Sequence, residues 1–96
     1  MTGTDVTTGQ LAGPTIQDQT RQAIRNCAAI LAAGGAALDD VAQVTVLLAD
    51  PADFAGFNAE YAAAFPIEPP ARAVAKLGVE LPGVLVSIMM TAHLQN

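Results

Sequence analysis

Val41-Ala42-Gln43-Val44-Thr45-Val46-Leu47-Leu48 and, one residue further on, Asp50-Pro51-Ala52-Asp53-Phe54 carry the chain from one periodicity to another. In the first block Ala42, Val44, Val46 and Leu48 share a face while Gln43 and Thr45 interrupt the other, which is the pattern of a strand. The second block starts a helix: Asp50 is the cap, Pro51 the first helical residue, and Asp53 an acid near the positive end of the dipole. Phe54, Phe57, Tyr61 and Phe65 then recur at helical spacing. All aromatics of the chain lie on that stripe, and a stripe of this period is expected in the core. Pro66, Pro69 and Pro70 close the helix.

Upstream, the first fourteen residues hold four Thr, three Gly and Pro14 without periodicity, and they read as loop. Thr15 is an N-cap with Asp18 at the capping-box position. Ile16, Thr20, Ala23, Ile24, Cys27 and Leu31 follow on one face, with Gln, Arg and Asn opposite, so a helix is expected over residues 15–33. Gly34 and Gly35 end it. Downstream, residues 71–79 and 84–92 read as two strands forming a hairpin, joined by Glu80-Leu81-Pro82-Gly83. The predicted order is helix, strand, helix, strand, strand: an α+β layer with two helices on one face of a mixed sheet. Val44, Val46, Val84, Val86, Ile88 and Met90 are too apolar for a sheet with one wet face, so a partner subunit is expected over the second face.

Composition narrows the function. The 96 residues suit a single domain, residues 1–96, and a lone chain this size buries only about 60–65% of its unfolded surface. Four cations (Arg21, Arg25, Arg72, Lys76) stand against nine acidic residues, for a net charge of −5, which leaves no basic patch for nucleic acid. One Cys makes no internal disulfide. The first residues, Met1-Thr2-Gly3-Thr4-Asp5, do not read as a signal sequence and no apolar run is long enough to cross a bilayer, so a cytoplasmic protein is expected. His93 has no metal-ligand spacing around it and reads as a solvated strand end, so no metal is expected. Cys27 lies on the apolar face of the first helix and reads as an inert buried thiol.

Arg72 opens a strand directly after Glu68-Pro69-Pro70-Ala71. It is either an edge arginine paired with Glu68 or Glu80, or a guanidinium held by rigid prolines at a pocket rim, offering a planar fork to a carboxylate. Ser87 faces a parallel choice: a polar residue alternating with Val86 and Ile88, or a hydroxyl lining that pocket.

Gln19–Ile24, Leu38–Val41 with Val44–Val46, Asp53-Phe54, Asn58, Tyr61, Phe65-Pro66 and Pro69-Pro70-Ala71-Arg72 together resemble the RidA (YjgF) family of reactive-intermediate deaminases. The resemblance runs from Gly3 onward. It implies a chorismate-mutase-like α+β fold, here lacking the usual first two strands, and a homotrimer with ligand clefts between subunits. It also implies hydrolysis of 2-imino acids to 2-keto acids and ammonia without a cofactor. Arg72 matches the family arginine that binds the substrate carboxylate. Ser87 stands where active members carry the Glu that orients the hydrolytic water, and Met89 where a second acid is common. Val74 replaces a frequent Cys. A serine hydroxyl can hold a water but is no carboxylate base, so Ser87 is the candidate catalytic group in an altered role. A non-catalytic binding module for small keto or imino carboxylates is the competing reading, and ribonuclease activity is disfavoured by the net charge.

Overall fold

The computed structural model describes residues 1–94. Helix α1 spans Ile16–Ala33, strand β1 Val41–Leu48, helix α2 Phe54–Ala64, strand β2 Ala71–Lys76 and strand β3 Val86–Ala92. The Thr15 hydroxyl accepts the Asp18 amide at 3.1 Å and caps α1. At the other end Gly35 adopts φ 83° while Ala36 N–H bonds Leu31 C=O at 2.8 Å, a glycine-terminated helix end. Asp50 caps as expected, accepting the Ala52 amide at 2.9 Å. The turn it starts, Pro51–Asp53, is 3₁₀, and the α-helix proper begins at Phe54.

The sheet has the order β2-β1-β3, with β2 parallel and β3 antiparallel to β1. Both helices cover one face of it. This mixed arrangement is the expected one, but the expected hairpin is not there: β2 and β3 lie on opposite edges, each paired with β1. Pro82-Gly83 does make a tight turn, with Gly83 at φ 76° and Val84 N–H on Leu81 C=O at 3.0 Å. That turn belongs to a connection over residues 77–85 that passes the end of β1, where Leu77 N–H bonds Leu48 C=O and Ala49 N–H bonds Leu85 C=O. Residues 77–79 and 84–85 are therefore connection, not strand. The cause is the β1–α2–β2 unit: a helix between two strands returns the chain parallel to the first, and β1's other edge is left for β3.

The core gathers Ile16, Ala23, Ile24 and Cys27 of α1, Phe57 and Tyr61 of α2, Phe65, and Val41, Val44, Val46, Leu48, Val86 and Ile88 of the sheet. A register irregularity between Val41 and Gln43 swaps the first inward position, so Val41 is buried and Ala42 exposed. Pairing and alternation place Val44, Val46, Val86, Ile88 and Met90 on the helix-covered face. The argument that these residues demand a partner subunit is therefore corrected; α1 and α2 already cover them. The uncovered face carries Gln43, Thr45, Ala73, Ala75, Ser87 and Thr91, with Leu47 and the exposed Met89 as its large apolar side chains.

Two amides expected on the wet face of α1 are buried. Gln19 donates to Gly13 C=O at 3.0 Å and Gly83 C=O at 2.8 Å, and accepts the Leu85 amide at 2.8 Å. Asn26 donates to Thr2 C=O and Thr4 C=O at 3.1 and 2.8 Å. They anchor an N-terminal segment that is more than loop. Met1 and Ile88 exchange bonds, Met1 N–H to Ile88 C=O at 2.7 Å and Ile88 N–H to Met1 C=O at 2.8 Å. Thr2 thereby bridges Ser87 in antiparallel fashion on the outer edge of β3. Among the described residues no helix is long and apolar enough to cross a membrane.

Candidate functional site

Arg72 pairs with Val44 in the parallel register, so its side chain leaves β2 on the helix face. There it meets the aromatic stripe of α2. The guanidinium carbon lies 4.7 Å from the centre of the Tyr61 ring, 5.5 Å from that of Phe54 and 5.9 Å from that of Phe57. Distances in this range give cation–π attraction to the ring faces. Tyr61 is itself held between neighbours, its ring centre 5.6 Å from Phe57 and 4.9 Å from Phe65. Phe54 departs from the expectation that the whole stripe is core: it is 41% exposed, whereas Phe57, Tyr61 and Phe65 are buried.

Neither Glu68 nor Glu80 pairs with this arginine. Among the described residues the salt bridges belong to Arg21, which reaches Asp18 at 2.6 Å and Glu60 at 3.5 Å. Arg72 Nη1 and Tyr61 Oη are buried without a hydrogen-bond partner among the described residues. Burial raises the Tyr61 pKa above its ordinary value, with the Arg72 charge pulling the other way, so the phenol is neutral at physiological pH. The guanidinium is thus bordered by aromatic rings, and its charge is not neutralised by an acid of the described chain. A fork of N–H donors held like this suits a planar oxyanion such as a carboxylate.

Ser87 is not brought to Arg72. It pairs with Leu47, which points to the uncovered face, and it lies on β3 at the far edge of the sheet. Within one copy β1 and the thickness of the sheet separate the two side chains. Met89 shares Ser87's face and is 60% exposed, whereas Val74 shares Arg72's face and is 39% exposed. Cys27 is buried as expected: its Sγ lies 3.6 Å from Ile88 C=O, and burial raises its pKa. His93 is exposed beyond the end of β3, with its amide on Asp40 C=O at 2.9 Å. Asp40 accepts the Ala37 amide at 2.9 Å and closes a turn there.

The sequence reading missed Phe54 and Tyr61 as groups around the arginine. The available signal was the β1–α2–β2 order, since a crossover helix packs over the strand it leads to. An opening of about 780 Å³ lies away from Arg72 along the 77–85 connection. It brings together Lys76 and Glu80 on otherwise apolar and backbone walls, with no convergent reactive set. A smaller cavity of about 350 Å³ has Phe54 and Val74 in its walls; Arg72 does not line it, and Phe54 is the residue the two share.

A RutC family protein of Pyrococcus horikoshii is 42% identical over 89 residues, covering 93% of this chain and 71% of that protein. The chloroplastic Reactive Intermediate Deaminase A of Arabidopsis thaliana is 43% identical over 65 residues, covering 68% of this chain and 35% of that one. The crystal structure of RidA from the Antarctic bacterium Psychrobacter sp. PAMC 21119 superposes with a TM-score of 0.90 at 31% identity, over 98% of this chain and 76% of that one. The fold is accordingly the chorismate-mutase-like α+β arrangement. The sequence profile described as Endoribonuclease L-PSP matches residues 1–94, and with these relatives it establishes that the chain belongs to the RidA (YjgF) family.

Proposed function

We propose that this protein is a RidA-type deaminase that hydrolyses small 2-imino acids to 2-keto acids and ammonia. The observation that carries the reading is the state of Arg72: a cation 4.7 to 5.9 Å from the ring centres of Tyr61, Phe54 and Phe57 with no acid of the described chain beside it. Such a cation is available to an external carboxylate, and every 2-imino acid has one. With the carboxylate held, the imine carbon is fixed for attack by water, which adds across C=N to give a carbinolamine. Transfer of the hydroxyl proton to nitrogen and cleavage of the C–N bond then release ammonia and leave the keto acid. Water is the only co-reactant, and no metal or organic cofactor enters.

Ser87 is the proposed holder of that water. Because it lies across the sheet from Arg72, a second copy must supply it, and the proposal includes a homotrimer with the site between copies. The separation of the two residues within one copy also favours a second reading: a binding module that takes up small keto or imino carboxylates through Arg72 without turnover. The test is to generate 2-aminoacrylate enzymatically in situ and follow its loss with and without the protein. Acceleration that disappears in Arg72→Ala supports the deaminase. Arg72-dependent binding without acceleration supports the binding module.

A further inference from the structure

Phe54 is shared between two features. Its ring lies under the guanidinium of Arg72, and it forms a wall of the adjoining cavity of about 350 Å³, with Leu48, Pro51, Val74, Ala75 and Lys76. Val74 follows Arg72 by two residues and leaves β2 on the same face. Its Cα is about 6.6 Å along the strand from that of Arg72, a span that an acid of leucine size bridges. Phe54 and Val74 are 41% and 39% exposed, although both belong to types that gain by burial. Apart from Lys76, the cavity offers no charged side chain. A ligand held at Arg72 would therefore meet apolar surface on this side.

We propose that this cavity receives the side chain of the acid bound at Arg72, and that the protein selects 2-imino and 2-keto acids with a branched aliphatic or aromatic side chain. The inference rests on Arg72 as the carboxylate anchor. A methyl group would leave most of the Phe54–Val74 surface in water. A second carboxylate would have to give up hydration against Leu48, Pro51 and Phe54, and the solvated ammonium of Lys76 offsets only part of that cost. Specificity then lies with Phe54 and Val74, neither of which takes part in the chemistry.

The test is calorimetric titration with 4-methyl-2-oxopentanoate, pyruvate and 2-oxoglutarate, for the unaltered protein, Arg72→Ala and Val74→Asp. Binding is measured, so the result does not depend on turnover. The branched acid should bind roughly tenfold more tightly than pyruvate, and more tightly than 2-oxoglutarate. Arg72→Ala should abolish binding of all three acids, and Val74→Asp should lower the branched-to-pyruvate ratio. If Val74→Asp does not fold, Val74→Thr, of nearly equal shape, should also lower the ratio. Arg72-dependent binding with pyruvate equal or favoured overturns the inference and leaves the anchor standing; a second copy covering the cavity would give this result. Absence of binding by any acid, or binding unchanged in Arg72→Ala, overturns the anchor and the inference with it.

Discussion

Arg72 and Ser87 stand on opposite faces and opposite edges of one three-stranded sheet, with β1 between them. If both serve one reaction, they come from different copies. Mixing Arg72→Ala with Ser87→Ala subunits by joint unfolding and refolding should then restore activity that neither variant has alone. Random assembly gives about a quarter of the sites both intact side chains. Activity of the mixture no greater than that of the separate variants would show that the two groups do not meet across copies.

The grip on Arg72 is aromatic, so ring and hydroxyl at position 61 should separate. Tyr61→Phe keeps the ring and removes a buried oxygen that has no partner, so stability should be unchanged or higher by about 0.5 kcal/mol. Tyr61→Leu loses the ring stacked between Phe57 and Phe65 and should cost about 2 kcal/mol. Ligand affinity should follow the same order, with Phe close to the unaltered protein and Leu well below it. Urea unfolding and calorimetry read the two effects independently. An equal loss of affinity in both variants would mean that the hydroxyl, and not the ring, is what matters.

Gln19 holds three segments at once: the loop at Gly13, the turn at Gly83 and the amide of Leu85. Gln19→Ala should cost about 3 kcal/mol, since it strands buried partners and opens a cavity under the turn. Gln17→Ala, on the exposed side of the same helix, should cost well under 1 kcal/mol. Chemical denaturation of both variants checks the contrast.

The buried thiol predicts an alkaline limit to stability. Burial raises the Cys27 pKa above its ordinary value of 9.0, so the folded chain holds the proton more firmly than the unfolded one. Its contribution is complete below pH 9 and is lost as pH rises through the raised value. Tyr61, raised from 10.0, adds the same sign of dependence at higher pH. Unfolding free energy should be level with respect to these two groups from pH 7 to 8.5 and fall above 9, and Cys27→Ala should flatten the first part of that fall. Native Cys27 should resist a thiol reagent at neutral pH and react once urea is present.

The parts of the fold that local rules govern were legible in the sequence: the Thr15 and Asp50 caps, the Gly35 helix end, the Pro82-Gly83 turn and the β1 alternation from Val44 onward. Which strands pair was not, because a Pro-Gly turn looks alike inside a hairpin and inside a longer connection. Burial of Gln19 and Asn26 was hidden for a related reason: an amide is polar in composition and becomes a core group only when distant carbonyls converge on it. Arg72 stood out by its scarcity and its proline-rich approach. Its aromatic bed did not, since Phe54 fits a helical core stripe as well as it fits the floor beneath a cation.

The strand that carries Arg72 is hydrogen-bonded along one side only, and its helix-facing Val74 is partly in water. Among the elements of the sheet it is therefore the one whose opening costs least, and its amides should be the first of the three strands to exchange with deuterium. An acid gripped by Arg72 and packed on Val74 would bind only the closed form, so part of its binding energy goes into holding the edge of the sheet shut. Affinity at this position and slow exchange in β2 should rise and fall together.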